Sequence, residues 1–217
     1  MDAVDRWGGE QKEKAPTLHH VPGTISSPIA QALIELGVAS VTVKTLSFPE
    51  LKQPAHLAIN PLGTSPAFSD GDLCMWESHA VLTHILETYD PHHILHPPPR
   101  SAQRAHFLQL QAFLLITVYP TIASLFLHTL KPSEEQDSAF VAAGKQKWAD
   151  SIAPILVAAL GDQKFLFGNE MSAVDLIIAK PLRNAKALGV LQAFPTLEAL
   201  FDRISSRPSF AQAYAIA

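Results

Sequence analysis

The stretch NPLGTSPAFSDGDLCMW, residues 60–76, decides the fold. Residues 67–68 and 73–76 are short apolar runs, and the Ser-Asp-Gly-Asp sequence between them is typical of a turn, so this part predicts a β-hairpin. The preceding part contains two prolines and a glycine and is predicted to be irregular. A hairpin that follows an irregular loop indicates a small sheet rather than a bundle of helices.

The segments around this hairpin extend the pattern. Residues 17–21 and 41–46 predict strands, and residues 26–37 between them predict a helix with apolar side chains at helical spacing and a glycine at its end. A second helix is predicted to begin at Glu77 or Ser78. The order strand, helix, strand, irregular segment, hairpin, helix predicts an α/β layer with a mixed sheet.

The pattern of apolar residues along the sequence changes after residue 90. Residues 90–100, DPHHILHPPPR, contain four prolines, which stop helices and favour extended chain. Long segments with helical periodicity follow, and they predict an all-α second half. The sequence therefore predicts a flexible polar arm at 1–15, an α/β domain at 16–90, a Pro-rich linker at 91–103 and an all-helical domain at 104–217.

Three details of the helical half are also predicted. The first long helix is expected to be interrupted at Pro120, and the second is expected to bend at Pro154. Ser172 and Asp175 form a capping-box variant that begins a third helix, with Asp in place of the usual Glu.

Composition excludes several classes of protein. The 217 residues carry 16 Lys and Arg against 20 Asp and Glu, a net charge of −4, which argues against a nucleic-acid-binding protein. One cysteine excludes a disulfide framework and any Cys-X-X-Cys motif. No uninterrupted apolar run is long enough for a transmembrane helix, and the first residues lack the pattern of a signal peptide, so we expect a cytoplasmic protein that does not contact a membrane. The ten histidines do not converge in spacing, so we expect no metal site.

Five motifs occur in one order along the chain and are best judged together. They are PGTIS at 22–26, NPLGTSPAF at 60–68, WESHAV at 76–81, GNEMSAVD at 168–175 and RPSF at 207–210. Together they resemble the cytosolic glutathione transferase (GST) family over about residues 16–217. The loop pattern is most similar to that of bacterial beta-type enzymes, but Ile25 stands where those enzymes have their active-site cysteine.

The resemblance implies a fold and a function. It implies a thioredoxin-like N-terminal domain with a mixed four-stranded sheet, followed by an all-helical domain with a hydrophobic substrate pocket, and it implies a homodimer. It also implies a detoxification-type transferase that conjugates the glutathione thiolate to a small hydrophobic electrophile, with glutathione as cosubstrate. The alternative is a non-catalytic GST-like binding or protein-interaction module, because a fold alone does not determine function. A thiol-disulfide reductase is disfavoured, since no cysteine lies near the expected sulfur position.

The resemblance also implies where thiol activation takes place. A hydroxyl donor at the start of a helix stabilises a thiolate, and Ser26 and Thr24 are the two candidates for this catalytic role. Ser26 has an alternative role as the cap of the helix. His20 stands where the beta-type subtype has tyrosine, and as a strand residue it is expected to serve packing or to lie at the surface.

The glutathione-binding residues implied by the resemblance are Lys52, Ser65, Pro66, Glu77 and Ser78. Pro66 matches the family's cis-proline, which would present the backbone of Ser65 to the peptide, although Ser65 replaces the usual valine. Glu77 and Ser78 would bind the two charged ends of the γ-glutamyl group. Lys52 would pair with the glycyl carboxylate. The alternatives are an ordinary loop proline, a simple helix cap and a solvated lysine.

One candidate belongs to the helical half. Tyr119 stands in the first long helix, just before Pro120, in the region that faces the electrophile in the family. Its hydroxyl could donate to a developing anion, or the ring could serve packing alone.

Overall fold

The structure, a computed structural model, describes residues 15–215. The predicted arm at 1–15 therefore lies outside the described residues, apart from Ala15. The chain is divided into two compact units, and in the described range the first contains residues 15–94 and 209–215. The second contains residues 95–208. The short segment 209–215 belongs to the first unit, whereas the sequence predicted one helical domain from 104 to the end.

A mixed four-stranded sheet forms the centre of the first unit over the described residues. Its strands are β1 (Thr17–His20), β2 (Thr42–Thr45), β3 (Ala67–Asp70) and β4 (Leu73–Trp76), in the order β2-β1-β3-β4. β1 and β2 are parallel, and the pairs β1–β3 and β3–β4 are antiparallel. The predicted hairpin and the predicted fold class, a thioredoxin-like layer followed by helices, are confirmed.

Helices flank this sheet in the first unit. Over residues 15–94 they are α1 (Ser27–Glu35), the short α2 (Pro54–Leu57) and α3 (Ser78–Tyr89), and a 3₁₀ turn lies at Glu50–Lys52. Ile29 and Leu33 of α1 are buried, as are Val81 and Ile85 of α3. Their helical spacing places each pair on one face of its helix, so both helices bury an apolar face.

The second unit is helical throughout its regular structure. Its helices are α4 (Arg104–Ala112), α5 (Tyr119–Thr129), α6 (Ser138–Lys147), α7 (Ala153–Leu160), α8 (Ala173–Ala187) and α9 (Pro195–Ser205); α10 (Pro208–Tyr214) begins at the end of this unit. Trp148 is fully buried and α8 is buried over most of its length, so these elements form the centre of the core.

Both predicted helix interruptions take the form of a π-helical turn. Residues Phe113–Val118 lie between α4 and α5, and residues Trp148–Ile152 lie between α6 and α7. Each turn ends two residues before a proline, Pro120 or Pro154. A proline lacks an N–H and its ring clashes with the carbonyl four residues earlier, and a wider turn accommodates both effects without ending the helix. The chain therefore continues from Arg104 to Thr129 as one helical run.

This run has the length and composition of a membrane-spanning helix. Its most apolar 18-residue window has a mean hydropathy of 1.8, and 39% of that window is buried. Core helices of soluble proteins pass the same test, so one such helix in the described range is weak evidence for a membrane span. The expectation of no membrane contact stays a prediction.

The predicted capping box at the start of α8 is formed by buried side chains. The Asp175 carboxylate accepts hydrogen bonds from the backbone N–H groups of Ser172 (2.9 Å) and Leu166 (2.7 Å) and from the Ser172 hydroxyl (2.9 Å). Asp175 is fully buried, and burial raises the pKa of this carboxyl to about 6 despite the hydrogen bonds that oppose the shift. One side chain therefore connects the loop before α8 to the first turn of that helix.

Asp175→Ala is expected to lower the free energy of unfolding by about 2–4 kcal/mol, because it removes a cap and leaves buried donors without a partner. Asp137, the N-cap of α6, is the matched control: its exposed carboxylate accepts from the N–H groups of Ala139 and Phe140. Asp137→Ala should cost about 1 kcal/mol. Denaturant unfolding of both variants measures the difference, and equal losses would contradict the dominant role of the buried cap.

Candidate active site

Strand register brings the predicted first-unit segments to one edge of the sheet. His19 at the end of β1 pairs with Ala67 at the start of β3, and Ala67 pairs with Trp76 at the end of β4. The loop after β1, the residues before β3 and the residues after β4 therefore emerge side by side. Thr24 and Ser26, Ser65 and Pro66, and Glu77 and Ser78 lie in these three segments.

The loop after β1 contains a cluster of hydrogen-bonded hydroxyls. The Thr24 hydroxyl donates to the Val21 carbonyl at 2.7 Å and lies 2.9 Å from the Ser26 hydroxyl. Ser26 is fully buried, whereas Thr24 is half-buried. Of the two candidate hydroxyls, Thr24 is thus the outer one and Ser26 lies behind it.

Ser26 does not use its side chain to cap α1. It stands at the N-cap position, but its hydroxyl makes no capping hydrogen bond. The Ser27 hydroxyl instead accepts from the backbone N–H of Gly23 at 2.9 Å. The alternative role that the sequence left open for Ser26, helix capping, is therefore not the role that its side chain has here.

The Ser26 hydroxyl lies 2.6 Å from Nδ1 of His20, a residue that the sequence assigned to packing or the surface. His20 is buried, and its Nε2 lies 3.1 Å from the carbonyl oxygen of Ala213 in α10. Burial lowers the pKa of His20 below its usual 6.5, while the hydrogen bond to Ala213 acts in the opposite direction. A position matching the tyrosine of similar enzymes was the one signal in the sequence that pointed to this residue.

The peptide bond between Ser65 and Pro66 is cis, as the motif suggested. The Ser65 hydroxyl accepts from the Val21 backbone N–H at 3.2 Å and donates to the His19 carbonyl at 3.3 Å. The same Val21 N–H lies 3.1 Å from the Ser26 hydroxyl oxygen. One amide therefore connects the loop after β1 to the residue before the cis bond, and the polar Ser65 side chain has partners where the family has valine.

Glu77 and Ser78 form the start of α3. Glu77 is exposed and is the N-cap residue, with a φ of 73° that a non-glycine residue seldom adopts. Such a conformation directs the chain sharply from β4 into the helix, and it is often found at ligand-binding positions. The helix N-terminus and the two side chains together offer a carboxylate, a hydroxyl and backbone N–H groups.

The remaining two candidates lie in different units. The Lys52 ammonium donates to the carbonyl oxygens of Gly63 at 2.8 Å and Leu62 at 3.2 Å, so it is tied to the loop that precedes Ser65. Tyr119 belongs to the second unit, where it is the half-buried first residue of α5. Its predicted part in a substrate pocket stays a prediction.

A second pair of histidines lies beside the sheet in the first unit. The rings of His19 and His56 meet edge to face with centroids 5.7 Å apart, and both side chains are buried. They line a cavity of about 150 Å³ together with Lys44 and Glu50. Burial, followed by the neighbouring His56 and Lys44, lowers the pKa of His19 to about 4.

Cys74, the single cysteine of the chain, is half-buried in β4 opposite Ser69. Burial and the nearby Asp72 raise the pKa of its thiol, which lowers its reactivity as a nucleophile. Within residues 15–215, no three His, Cys, Asp or Glu side chains gather in a metal-binding arrangement.

The arrangement at the sheet edge suits a peptide that carries positive and negative charges and a thiol. It offers hydroxyl groups at the loop after β1, a polar helix start at α3 and an ammonium in the loop before β3. Hydroxyl and backbone donors stabilise a thiolate, and helix N-termini stabilise carboxylates.

Two family models match the chain. The model of the glutathione S-transferase N-terminal domain matches residues 15–87, and that of the C-terminal domain matches residues 117–215. Glutathione S-transferase F9 of Arabidopsis thaliana is 30% identical over 197 residues, covering 84% of this chain and 88% of that protein. The chain belongs to the glutathione S-transferase family of enzymes.

Two further proteins show the range of this similarity. A maleylacetoacetate isomerase of Pseudomonas aeruginosa is 28% identical over 193 residues, which cover 86% of this chain and 88% of the isomerase. A glutathione transferase family member of Pseudomonas fluorescens Pf-5, solved with two glutathione molecules bound, has a TM-score of 0.81 at 20% identity, covering 99% of this chain and 98% of the other. The similarity to beta-type enzymes stays a prediction.

The depressed pKa of His19 predicts how stability depends on pH. The pKa of His19 is about 4 in the folded state and near 6.5 in the unfolded state. The unfolded chain therefore binds more protons than the folded chain between pH 4 and 6.5. The free energy of unfolding should therefore fall as the pH is lowered from about 6.5 to 4, and His20 contributes in the same direction. His19→Asn should make this dependence shallower in denaturant unfolding curves, and an unchanged slope would contradict the assignment.

Proposed function

We propose that the protein conjugates the thiolate of glutathione to a hydrophobic electrophile. The observation that carries the proposal is the convergence of three segments, 21–26, 65–66 and 77–78, at one edge of the sheet through the register of β1, β3 and β4. Family membership is the reason for taking the thiol to be that of glutathione. The electrophile and the homodimer come from the family resemblance alone, and the cytoplasmic location stays a prediction.

Each end of glutathione has a binding group in this proposal. The γ-glutamyl ammonium pairs with the Glu77 carboxylate, and the γ-glutamyl carboxylate lies at the start of α3 against Ser78. The backbone N–H and C=O of Ser65, next to Pro66, bind the central part of the peptide like an added strand. Lys52 pairs with the glycyl carboxylate.

Thr24 and Ser26 activate the thiol in this proposal. Because Thr24 is half-buried and Ser26 fully buried, the Thr24 hydroxyl makes the contact with sulfur and the Ser26 hydroxyl supports it from behind. A free thiol has a pKa near ~8.5, and each unit by which the site lowers it corresponds to ~1.4 kcal/mol of thiolate stabilisation. Tyr119 and the helical unit contribute the apolar pocket for the acceptor.

The alternative function is a non-catalytic binding or protein-interaction module. The departures from the family pattern at Ile25, Ser65 and His20 motivate it. Calorimetry with glutathione, followed by activity with a chlorinated nitroaromatic acceptor, separates the two functions. An acceptor panel that includes a maleylacetoacetate-type cis double bond takes account of the isomerase relative. If the protein binds glutathione but shows no glutathione-dependent activity with any acceptor, the binding module is the supported function.

Glu77→Ala is expected to weaken glutathione affinity by about ten- to a hundredfold, because it removes a charge-assisted contact. Glu87→Ala, a change to an exposed carboxylate near the other end of α3, is the matched control and should leave the affinity unchanged. Isothermal titration of both variants gives the comparison. Equal affinity of Glu77→Ala and wild type would remove Glu77 from the site.

Thr24→Val and Ser26→Ala are expected to raise the pKa of the bound thiol by about one unit while affinity changes little, since they remove donors to sulfur and keep the peptide contacts. The ultraviolet absorbance of the thiolate, followed against pH, measures the shift. An unchanged profile in both variants would transfer the activating role to backbone N–H groups.

A further inference from the structure

The hydrogen bonds around His20 determine which of its two ring nitrogens carries the proton. A carbonyl oxygen can only accept, so the contact of Nε2 with the Ala213 oxygen at 3.1 Å requires that Nε2 carry a proton. In the neutral ring Nδ1 is then bare. The Ser26 hydroxyl lies 2.6 Å from this bare nitrogen and 3.0 Å from the Val21 carbonyl oxygen, and it donates to Nδ1, because two acceptors 2.6 Å apart would otherwise face each other without a proton between them.

The neutral state of His20 follows from its surroundings. Burial disfavours the imidazolium form, and the Ala213 carbonyl is the one favourable partner that raises the pKa. The titratable side chains on the elements around it are Glu35 on α1, Lys44 on β2, Asp70 on β3 and Tyr214 on α10.

The Ala213 carbonyl, which is the partner of His20 Nε2, is held in place by hydrogen bonds between α10 and α1. The Ser209 hydroxyl of α10 accepts from the Gln31 amide at 3.1 Å and donates to the Glu35 carboxylate, and both of these residues belong to α1. The start of α10 is therefore fixed to α1, and the Ala213 carbonyl is held against His20.

A continuous row of groups leads from His20 outward to Thr24. The Ser26 hydroxyl lies between Nδ1 of His20 at 2.6 Å and the Thr24 hydroxyl at 2.9 Å. Ser26 also accepts from the Val21 N–H at 3.1 Å, which fixes its position. Thr24 is the half-buried end of this row, and His20 is its buried end.

We propose that His20 is the acceptor of the glutathione thiol proton, which reaches it through the hydroxyls of Thr24 and Ser26. The proposal rests on the proposed function, in which Thr24 contacts the sulfur. Since His20 acts through two other residues, it is a positioning and proton-holding residue rather than a group that touches the substrate.

The transfer begins when the Thr24 hydroxyl turns from the Val21 carbonyl to the Ser26 oxygen, 2.9 Å away, and each proton then moves along one hydrogen bond. The S–H bond breaks and its proton goes to Thr24 Oγ1; the Thr24 hydroxyl proton goes to Ser26 Oγ, and the Ser26 proton goes to His20 Nδ1. The products are a thiolate and an imidazolium, with no change in total charge, and the negative thiolate at the outer end of the row offsets the burial that disfavours the imidazolium. After the thiolate attacks the acceptor, the leaving group departs as an anion and His20 returns its proton to water.

After the transfer every hydroxyl and ring N–H of the row has an acceptor, and the Val21 carbonyl keeps the backbone N–H of Thr24 as its donor. Nδ1–H of His20 donates to Ser26, the Ser26 hydroxyl donates to Thr24, and the Thr24 hydroxyl donates to the thiolate sulfur. Nε2–H continues to donate to Ala213, and the Val21 N–H continues to donate to Ser26. The transfer thus creates the hydroxyl-to-thiolate bond that stabilises its product.

Proton release on glutathione binding tests the proposal with the full chain. Calorimetric titration in buffers of different ionisation enthalpy counts released protons, and thiolate absorbance counts the thiolate formed. The wild type should release almost none, because the proton stays on His20. The ¹⁵N spectrum of the histidines should show His20 becoming doubly protonated as glutathione binds.

His20→Asn keeps a neutral hydrogen-bonding group but no base. It should release about one proton per thiolate formed, raise the pKa of the bound thiol by about one unit, and lower kcat/KM at neutral pH by about a hundredfold with little change in glutathione affinity. His19→Asn is the matched control: it alters the neighbouring buried histidine of the same strand, which bonds Ser69, and should leave these quantities unchanged.

The outcomes separate this proposal from the proposed function. Release of about one proton per thiolate by the wild type, or a neutral His20 beside a fully formed thiolate, would overturn the relay and leave conjugation intact. Both measurements use the unaltered protein, so they hold even where His20→Asn fails to fold. Absence of binding heat would overturn the proposed function and the relay together.

Discussion

The backbone N–H of Val21 is the contact on which the candidate site depends. Two hydroxyl oxygens, those of Ser26 and Ser65, lie 3.1 and 3.2 Å from it. Ser26 belongs to the loop after β1, and Ser65 belongs to the loop before β3. A buried donor without a partner costs about 1–3 kcal/mol, so this amide holds both loops against the end of the first strand. Register then brings the start of α3 to the same edge.

Local sequence signals predicted the elements that local chemistry determines. The hairpin at 67–76 has a turn sequence between two apolar runs, and the capping box at Ser172 has its acid three residues later. Each was observed, because neither depends on distant residues. The segments of the candidate site were predicted in a different way, because they match the motifs of a known family.

The features that sequence missed arise from packing over long distances in the chain. His20 and Ala213 are 193 residues apart, and no local pattern indicates that the carbonyl of one meets the ring of the other. The relative exposure of Ser26 and Thr24 could not be predicted from the sequence, because it depends on how the loop folds back onto β1. The interruptions at Pro120 and Pro154 were predicted in place, but their π-helical form depends on the surrounding helices remaining packed.

The π-helical turns have a consequence for how sequences of this family align. A π turn accommodates one extra residue within a helix that otherwise keeps its axis. Successive residues of an α-helix are about 100° apart around the axis, so one residue added to or removed from a regular helix rotates every later side chain by that angle. The wider turn at 113–118 absorbs the extra residue locally, so Ile122 and Leu125 of α5 stay buried. A relative one residue shorter at this place is therefore expected to continue as a regular α-helix with the same side chains of α5 facing inward, and the length difference aligns as a gap within the helix.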